Sequence, residues 1–199
     1  MAHLLGAQNL SLSYPTKQVF DSVTLGISDG DRVGIVGRNG DGKSSLLGML
    51  TGRVEPDSGQ VTYRSDLRVG ELTQRDELDG DISVGRSIVG DVEEYVWASD
   101  PRIRDVITGL VPDLDWEKPV GQLSGGQRRR VALAKLLVDE WDVIALDEPT
   151  NHLDIEGVNW LAEHLKNRWP KNTGGLLVIT HDRWFLDEVA TTTWEVHDQ

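Results

Sequence analysis

The sequence of 199 residues contains no cysteine. Disulfide bridges, thiolate metal ligands and cysteine nucleophiles are therefore excluded. Histidine is also scarce, and five scattered His argue against a zinc site built from histidine alone. Basic residues are in the minority, because 20 Lys and Arg stand against 33 Asp and Glu and give a formal charge of −13. Such a chain does not hold nucleic acid by its net field, although Arg128–Arg130 could form either a local basic patch or a solvated helix face.

Long apolar runs are absent as well. Nowhere do about 18 apolar residues follow one another, as a membrane-spanning helix requires. The N-terminus lacks a basic start followed by a long apolar stretch, which a secretory signal would show. We therefore expect a soluble, cytoplasmic chain with no direct membrane insertion. Its length predicts one domain, or one domain with a small subdomain, around a single core.

Strand patterns dominate the first part of the chain. Apolar and polar residues alternate over Leu4–Tyr14 and Val19–Ile27, which predicts half-buried antiparallel strands joined by a turn. Arg32–Val36 predicts a short buried strand. Gly59–Arg64 and Leu67–Thr73 predict a further pair of strands.

Helical spacing replaces the strand pattern from about residue 75 to residue 121. The apolar positions that carry it are Val84, Ile88, Val92 and Tyr95, followed by Ile103, Val106, Ile107 and Leu110. Later in the chain, Val158–Trp169 predicts an amphipathic helix that Pro170 ends. Leu176–Thr180 predicts a buried strand, and Thr191–Val196 predicts a last one.

A glycine-rich loop lies between the strand Arg32–Val36 and a helix predicted over Ser45–Leu50. It fits the pattern G-x-x-x-x-G-K-[ST] with Gly37, Arg38, Asn39, Gly40, Asp41, Gly42, Lys43 and Ser44. In such a loop the bare backbone wraps phosphates, the lysine reaches the β- and γ-phosphates, and the hydroxyl binds Mg²⁺. The alternative is an ordinary glycine turn. Ser45 could take the place of Ser44 in another register, but the spacing from Gly37 favours Ser44.

A second glycine turn begins another predicted helix. Ser124 can cap that helix, while Gly125 and Gly126 leave backbone N–H groups bare at its N-terminus, where they attract an anion. The helix carries an apolar face marked by Val131, Ala134 and Val138.

Two acidic residues follow the apolar run Val143–Leu146, which a parallel sheet would bury on both faces. Asp147 at the strand end is the expected ligand for Mg²⁺, which prefers carboxylate and phosphate oxygens. Glu148 beside it can polarise an attacking water at the γ-phosphate. A solvated strand end before Pro149 is the alternative, and the glycine loop upstream argues against it.

In order, these motifs resemble those of ATP-binding-cassette (ABC) ATPases over nearly the whole chain. The Walker A loop, the Q-loop, the signature, the Walker B strand and the H-loop correspond to Gly37–Ser44, Gln74, Leu123–Gln127, Ile144–Glu148 and His181. The stretches Asp147–Asp154 and His181–Asp187 further resemble the F subfamily, soluble twin-cassette proteins of which many act on the ribosome. The order of motifs is most similar to the first cassette of that group.

The resemblance implies an α/β fold, a P-loop NTPase with an ABC-type core and an N-terminal antiparallel β portion. The core would comprise residues 1–74 and 122–199, and residues 75–121 would form a helical subdomain. It also implies a head-to-tail pair of cassettes that sandwich two ATP molecules with Mg²⁺, so that these residues are expected to be part of a longer twin-cassette chain. The pair would close on ATP and open on hydrolysis.

Several roles rest on the resemblance. Ser124, Gly125 and Gly126, in a signature completed by Gln127, would bind the γ-phosphate held by the other cassette. Gln74 would contact Mg²⁺ or the water, and His181 would contact the γ-phosphate. Tyr14 matches the aromatic residue that stacks on adenine; Tyr63 and a plain core role for Tyr14 stay open.

The sequence departs from the family pattern at Asp41, an acid inside the phosphate loop that we expect to point outward. The segment between Gln74 and Leu123 is short, which argues against a long RNA-contacting arm and against a DNA-repair cassette interrupted by coiled coils. Two other functions compete with ribosome-associated hydrolysis. One is a nucleotide-binding subunit of a membrane transporter, and the other is a switch module that binds ATP and scarcely hydrolyses it.

Overall fold

Two long antiparallel strands begin the chain in a computed structural model that describes residues 2–40 and 42–197. β1 (His3–Tyr14) pairs with β2 (Lys17–Ser28) across the predicted turn. β1 also pairs with β4 (Ser58–Tyr63), so that the sheet has the order β2-β1-β4. The predicted antiparallel pair is therefore confirmed.

A five-stranded sheet has the order β5-β6-β7-β3-β8. β3 pairs in parallel with β7 and β8, and β6 pairs in parallel with β7. Every residue of β6 and β7 is buried, as the continuous apolar runs predict. The strands are β3 (Arg32–Gly37), β5 (Val69–Leu72), β6 (Val143–Asp147), β7 (Gly175–Ile179) and β8 (Thr192–Val196).

The two further strands predicted over 59–64 and 67–73 are present, and they lie in different sheets. β4 belongs to the antiparallel sheet and β5 to the five-stranded sheet. The segment between them bonds to both sides, since the Arg64 N–H donates to the Leu4 carbonyl and the Arg68 N–H donates to the Asp142 carboxylate. Alternation alone identifies a strand and not its neighbour.

Helix α1 (Lys43–Thr51) follows the glycine loop and buries Leu46, Leu47 and Leu50 in a core shared with the strands. Towards the C-terminus, α6 (Ile155–Asn167) ends before Pro170, as predicted, and α7 (Arg183–Val189) follows β7. No helix of the described residues is both long enough and apolar enough to cross a membrane.

The helical region predicted from residue 75 contains α2 (Val84–Val89), α3 (Glu94–Ala98) and α4 (Pro101–Leu110). The predicted spacing from Val84 to Tyr95 is not one helix. α2 ends at Gly90, whose φ of 78° and ψ of −168° lie where glycine alone is comfortable. Val92 and Tyr95 are consequently exposed rather than on a buried face.

The structure corrects the interpretation of Arg128–Arg130 on α5 (Gly125–Leu137) as a solvated helix face or basic patch. Arg128 is exposed, but Arg129 is only 8 % exposed. Arg130 forms a two-pronged ion pair with Asp113 at 2.6 and 3.0 Å. Arg129 and Arg130 therefore make contacts within the fold, and Arg128 alone of the three is exposed.

The chain divides into two compact units. The first comprises residues 1–71, 141–148 and 166–199, and the second comprises residues 72–140 and 149–165. The second unit holds the helices from α2 to α5, including the signature helix. The sequence-based division at residues 75 and 121 stays a prediction.

Candidate functional site

The carboxyl ends of three parallel strands bring one set of predicted residues together in the first unit. β3 leads into the glycine loop, β6 into Glu148 and β7 into His181. The register pairs Asp147 with Ile179, and the Glu148 N–H donates to the Ile179 carbonyl at 2.8 Å. Open parallel sheets bind ligands at this edge, because the loops that leave the strands form a crevice there.

The lysine of the glycine loop is turned back onto the loop itself. Lys43 is 7 % exposed, and its Nζ donates to the carbonyl oxygens of Gly37 at 2.7 Å and Arg38 at 2.9 Å. α1 begins without a side-chain cap, because its N-cap is Gly42 with a φ of 98°. Its first N–H groups therefore have no side-chain acceptor from the cap and favour an anion. Asp41, predicted to point outward, lies outside the described residues.

Ser44 and Asp147 meet at this edge. The Ser44 hydroxyl donates to Asp147 Oδ2 at 2.6 Å, and Asp147 is 2 % exposed. Ser45 instead bonds through its hydroxyl to the Tyr14 hydroxyl at 2.9 Å. Ser44 and Asp147 thus offer only oxygen donors, the set that suits Mg²⁺. Among residues 2–40 and 42–197 no three His, Cys, Asp or Glu are grouped to hold a metal.

Glu148 and His181 form a contact pair beside the loop. His181 Nε2 lies 3.2 Å from Glu148 Oε1 and 3.1 Å from Asn39 Oδ1. A proton on Nε2 would let His181 donate to the Glu148 carboxylate and to the Asn39 oxygen. Burial raises the pKa of the Glu148 carboxyl above its usual range, against the opposing influence of His181. Glu148 also adopts a φ of 51°, a backbone conformation that non-glycine residues seldom take and that recurs at functional sites.

The two tyrosines considered for adenine occupy different settings. Tyr14 is 49 % exposed at the end of β1, and its bond to Ser45 places it beside the loop. Tyr63 donates its hydroxyl to the Leu50 carbonyl at 2.9 Å, a bond that ties β4 to the end of α1. Tyr63 is 42 % exposed, so exposure does not separate the two rings; of the two, Tyr14 is the one bonded to a residue that directly follows the phosphate loop.

The signature residues lie in the second unit and build a complete capping box. The Ser124 hydroxyl accepts from the Gln127 N–H at 3.1 Å, and Gln127 Oε1 accepts from the Ser124 N–H at 2.9 Å. A Cβ placed on Gly125 would have no atom within 4 Å, whereas one on Gly126 would lie 3.2 Å from His152 Cβ. The box satisfies two backbone donors and leaves the Ser124 O–H able to donate to an anion.

Gln74, also in the second unit, is exposed. It follows Thr73, whose carbonyl accepts a hydrogen bond from Arg129, a residue that was not predicted to contribute to the site. The buried Arg129 donates to the Thr73 carbonyl and lies 3.8 Å from the Asp76 carboxylate. The signal was present in the sequence, because Arg129, Leu133 and Leu136 recur with helical spacing and share the buried face of α5. Arg129 therefore positions the backbone at Gln74.

Comparison with known families gives a match over two thirds of the chain. The profile of the family described as "ABC transporter" matches residues 20–151. A solved structure of an ATP-binding subunit of an ABC transporter superposes with a TM-score of 0.83 over 98 % of this chain and 86 % of its own, at 19 % identity. The predicted α/β fold class is confirmed by that likeness.

Two curated relatives cover almost all of this chain. The energy-dependent translational throttle protein EttA of Escherichia coli O6:H1 is 38 % identical over 199 residues, covering 98 % of this chain and 35 % of the relative. The uncharacterized ABC transporter ATP-binding protein YfmM of Bacillus subtilis is 29 % identical over 238 residues, covering 98 % of this chain and 45 % of the relative. The chain thus spans less than half the length of either relative.

Proposed function

Because the chain belongs to the ABC transporter family, whose domains are ATPases in general, we propose that it binds ATP with Mg²⁺ at Gly37–Ser44 and hydrolyses it between paired cassettes. The resemblance to ABC ATPases drawn from the motifs is confirmed by the family match. The similarity to translational throttle proteins agrees with the first cassette of the F subfamily.

The contact between Ser44 and Asp147 carries this proposal. A loop hydroxyl and a strand-end carboxylate, 103 residues apart in sequence, lie 2.6 Å from each other. A purely structural glycine turn would not need to bring these groups together. Mg²⁺ would be held by Ser44 and Asp147, with Gln74 as a further ligand on the family resemblance, and it would neutralise charge on the phosphates.

Each remaining group has a step that its chemistry suits. Lys43, now bonded to loop carbonyls, would exchange those acceptors for the β- and γ-phosphate oxygens. Glu148 would orient the attacking water and accept its proton, a task that a raised pKa assists because the carboxylate is then a stronger base. The Nε2–H of His181 would keep its proton and exchange its acceptor from the Glu148 carboxylate to the γ-phosphate, which would release the carboxylate for that task.

The partner of this proposed reaction is a second cassette, in the same longer chain or in a second copy. Ser124–Gly126 would contact the γ-phosphate held by that partner. We further propose a ribosome-associated role in the cytoplasm, which the similarity to a protein named a translational throttle supports.

Sustained phosphate release by the full-length polypeptide tests the proposal. We expect continuous turnover that needs Mg²⁺ and that Lys43→Ala abolishes at this cassette's own site, because the alanine removes the cation facing the β- and γ-phosphates there. Binding of ATP with no release beyond one equivalent would instead favour a switch module. Absence of ATP binding would reject the assignment of the loop.

Asn39 is expected to act through His181. Asn39→Ala removes one hydrogen-bond acceptor of the imidazole, worth about 1 kcal/mol, and should lower turnover at saturating ATP about fivefold with little change in ATP affinity. The double variant with His181→Ala is the control. If Asn39 positions His181, the Asn39 change adds nothing in that background. An undiminished effect there would show that Asn39 acts elsewhere.

A nucleotide-binding subunit of a transporter is the second candidate. It is favoured by the similarity to YfmM, which is named an ABC transporter ATP-binding protein. Stable co-purification with a membrane subunit would support this function. Co-sedimentation of the Glu148→Gln variant with ribosomes in the presence of ATP would support the translational one.

A further inference from the structure

Six consecutive residues of the second unit, Asp91–Val96, are exposed, and they combine acidic with apolar side chains. Val92, Tyr95 and Val96 are 46 %, 74 % and 49 % exposed. α3 contributes no buried residue at all, although it is folded. Large exposed apolar side chains that adjoin one another are a feature of interaction sites. We call Asp91–Ala98 the α3 surface.

Aromatic packing within the second unit fixes the position of the α3 surface. Trp97 contacts Trp116 with ring centroids 4.8 Å apart. Trp116 in turn lies over Gly85, where a Cβ would come within 2.2 Å of its Nε1, and the Gly85 N–H donates to the Trp116 carbonyl at 2.9 Å. The exposed side chains are therefore presented on an ordered support, which lowers the entropy that a partner must overcome on binding.

The charge of this region indicates which kind of partner the α3 surface can bind. Residues 75–121 contain 12 Asp and Glu against 5 Lys and Arg, so that −7 of the −13 formal charge lies in this segment. Within the described part of the chain, Asp91 has an exposed ion pair with Arg86 at 3.7 Å. Glu93 and Glu94 form no ion pair with any described residue. Phosphate groups of RNA would be repelled by this field, and a second copy carrying the same charges would be repelled as well.

We propose that the α3 surface binds a cationic, arginine-containing segment of a partner protein. Guanidinium groups would pair with Glu93 and Glu94 and lie over the Tyr95 ring, and apolar side chains of the segment would cover Val92 and Val96. This inference concerns recognition and is independent of the ATP chemistry.

The test uses a synthetic 12-residue peptide of alternating arginine and leucine, with the full-length protein and binding measured by calorimetry. Glu93→Lys with Glu94→Lys should weaken binding by about tenfold or more, because attraction becomes repulsion. Tyr95→Ala should weaken it about threefold through loss of the cation–π contact. Amide chemical shifts of the isotope-labelled full-length protein should move at residues 91–98. ATP turnover should be unchanged, which separates this result from failure of the proposed hydrolysis.

The matched control is Asp21→Lys with Glu55→Lys, an equal change of charge at exposed positions of the first unit. Equal weakening by the control pair would show that peptide binding depends on net charge alone, and it would overturn the proposal. It would also be overturned by no peptide binding, or by equal or tighter binding of a 12-nucleotide RNA. Since reversal at Glu94 disturbs the first turn of α3, Glu93→Gln with Glu94→Gln is measured too, and unchanged affinity in that variant would reject the acidic contact.

Discussion

Replacing Glu148 by glutamine is expected to lower ATP turnover at this cassette's own site about 10²- to 10⁴-fold, the range over which a general base contributes. The amide keeps the shape of the side chain but cannot accept the proton of the attacking water. ATP affinity should change little, because Lys43, Ser44 and the glycine-loop backbone are untouched. The ATP-bound pair of cassettes should therefore accumulate. Gel filtration after incubation with ATP would measure it as ATP retained by the protein.

The Glu148→Gln variant is expected to fold at least as well as the unmodified protein. Burial raises the pKa of Glu148, so the ionised carboxylate costs folding free energy at pH values above that pKa. A neutral amide removes this cost. Thermal unfolding at pH 7 checks the prediction, and a loss of turnover accompanied by unchanged melting cannot be assigned to misfolding.

The pH profile supplies a second readout for the same residue. A base with a raised pKa protonates earlier than an ordinary glutamate as the pH falls, so turnover of the unmodified protein should decline on the acidic side at that raised pKa. Glu148→Gln should lose the part of this decline that belongs to its own site. Glu55→Gln, an exposed site far along the sequence, serves as the matched control. Undiminished turnover of Glu148→Gln, with no loss of the share contributed by this cassette's own site, would remove Glu148 from the role of base.

The parallel sheet and its loops could be predicted because their signals are local. β6 and β7 are continuous apolar runs. The glycine loop directly follows β3 and precedes a helix, which is the position that a phosphate-binding loop requires. Parallel strands put their carboxyl ends at one edge, so the topology brings Asp147 and Glu148 near Lys43 as soon as the strands are identified. The observed contact between Ser44 and Asp147 follows from that placement.

What the sequence did not reveal depends on contacts between distant segments. The helical spacing of Arg129 with Leu133 and Leu136 indicates that this arginine faces the core, but it does not reveal that the Thr73 carbonyl and the Asp76 carboxylate are its partners there. β4 and β5 are neighbours in sequence, yet each belongs to a different sheet. The bond from Asn39 to His181 joins residues 142 apart, and no local pattern encodes it.

A second large effect is expected from Ser124→Asp. Asp is as good an N-cap as Ser, so α5 should keep its first turn, whereas the new carboxylate would face the partner's γ-phosphate. Two unit charges about 4 Å apart repel by about 4 kcal/mol at an effective dielectric constant of about 20, which corresponds to a loss of about 10²- to 10³-fold in affinity at that site. Ser124→Asn, a neutral cap of the same shape, is the control and should lose far less.

Combining Ser124→Asp with Lys43→Ala in this cassette of the full-length protein separates action on the partner's ATP from action on its own. If the signature contacts the partner's ATP, each single variant damages a different site and retains about half of the bound ATP, and the double variant retains none. If the signature instead served the ATP of its own cassette, the double variant would retain as much ATP as either single one, and the head-to-tail pairing would be rejected. Retained ATP, measured after rapid gel filtration, is preferable to turnover here because it does not depend on whether hydrolysis at one site requires the other.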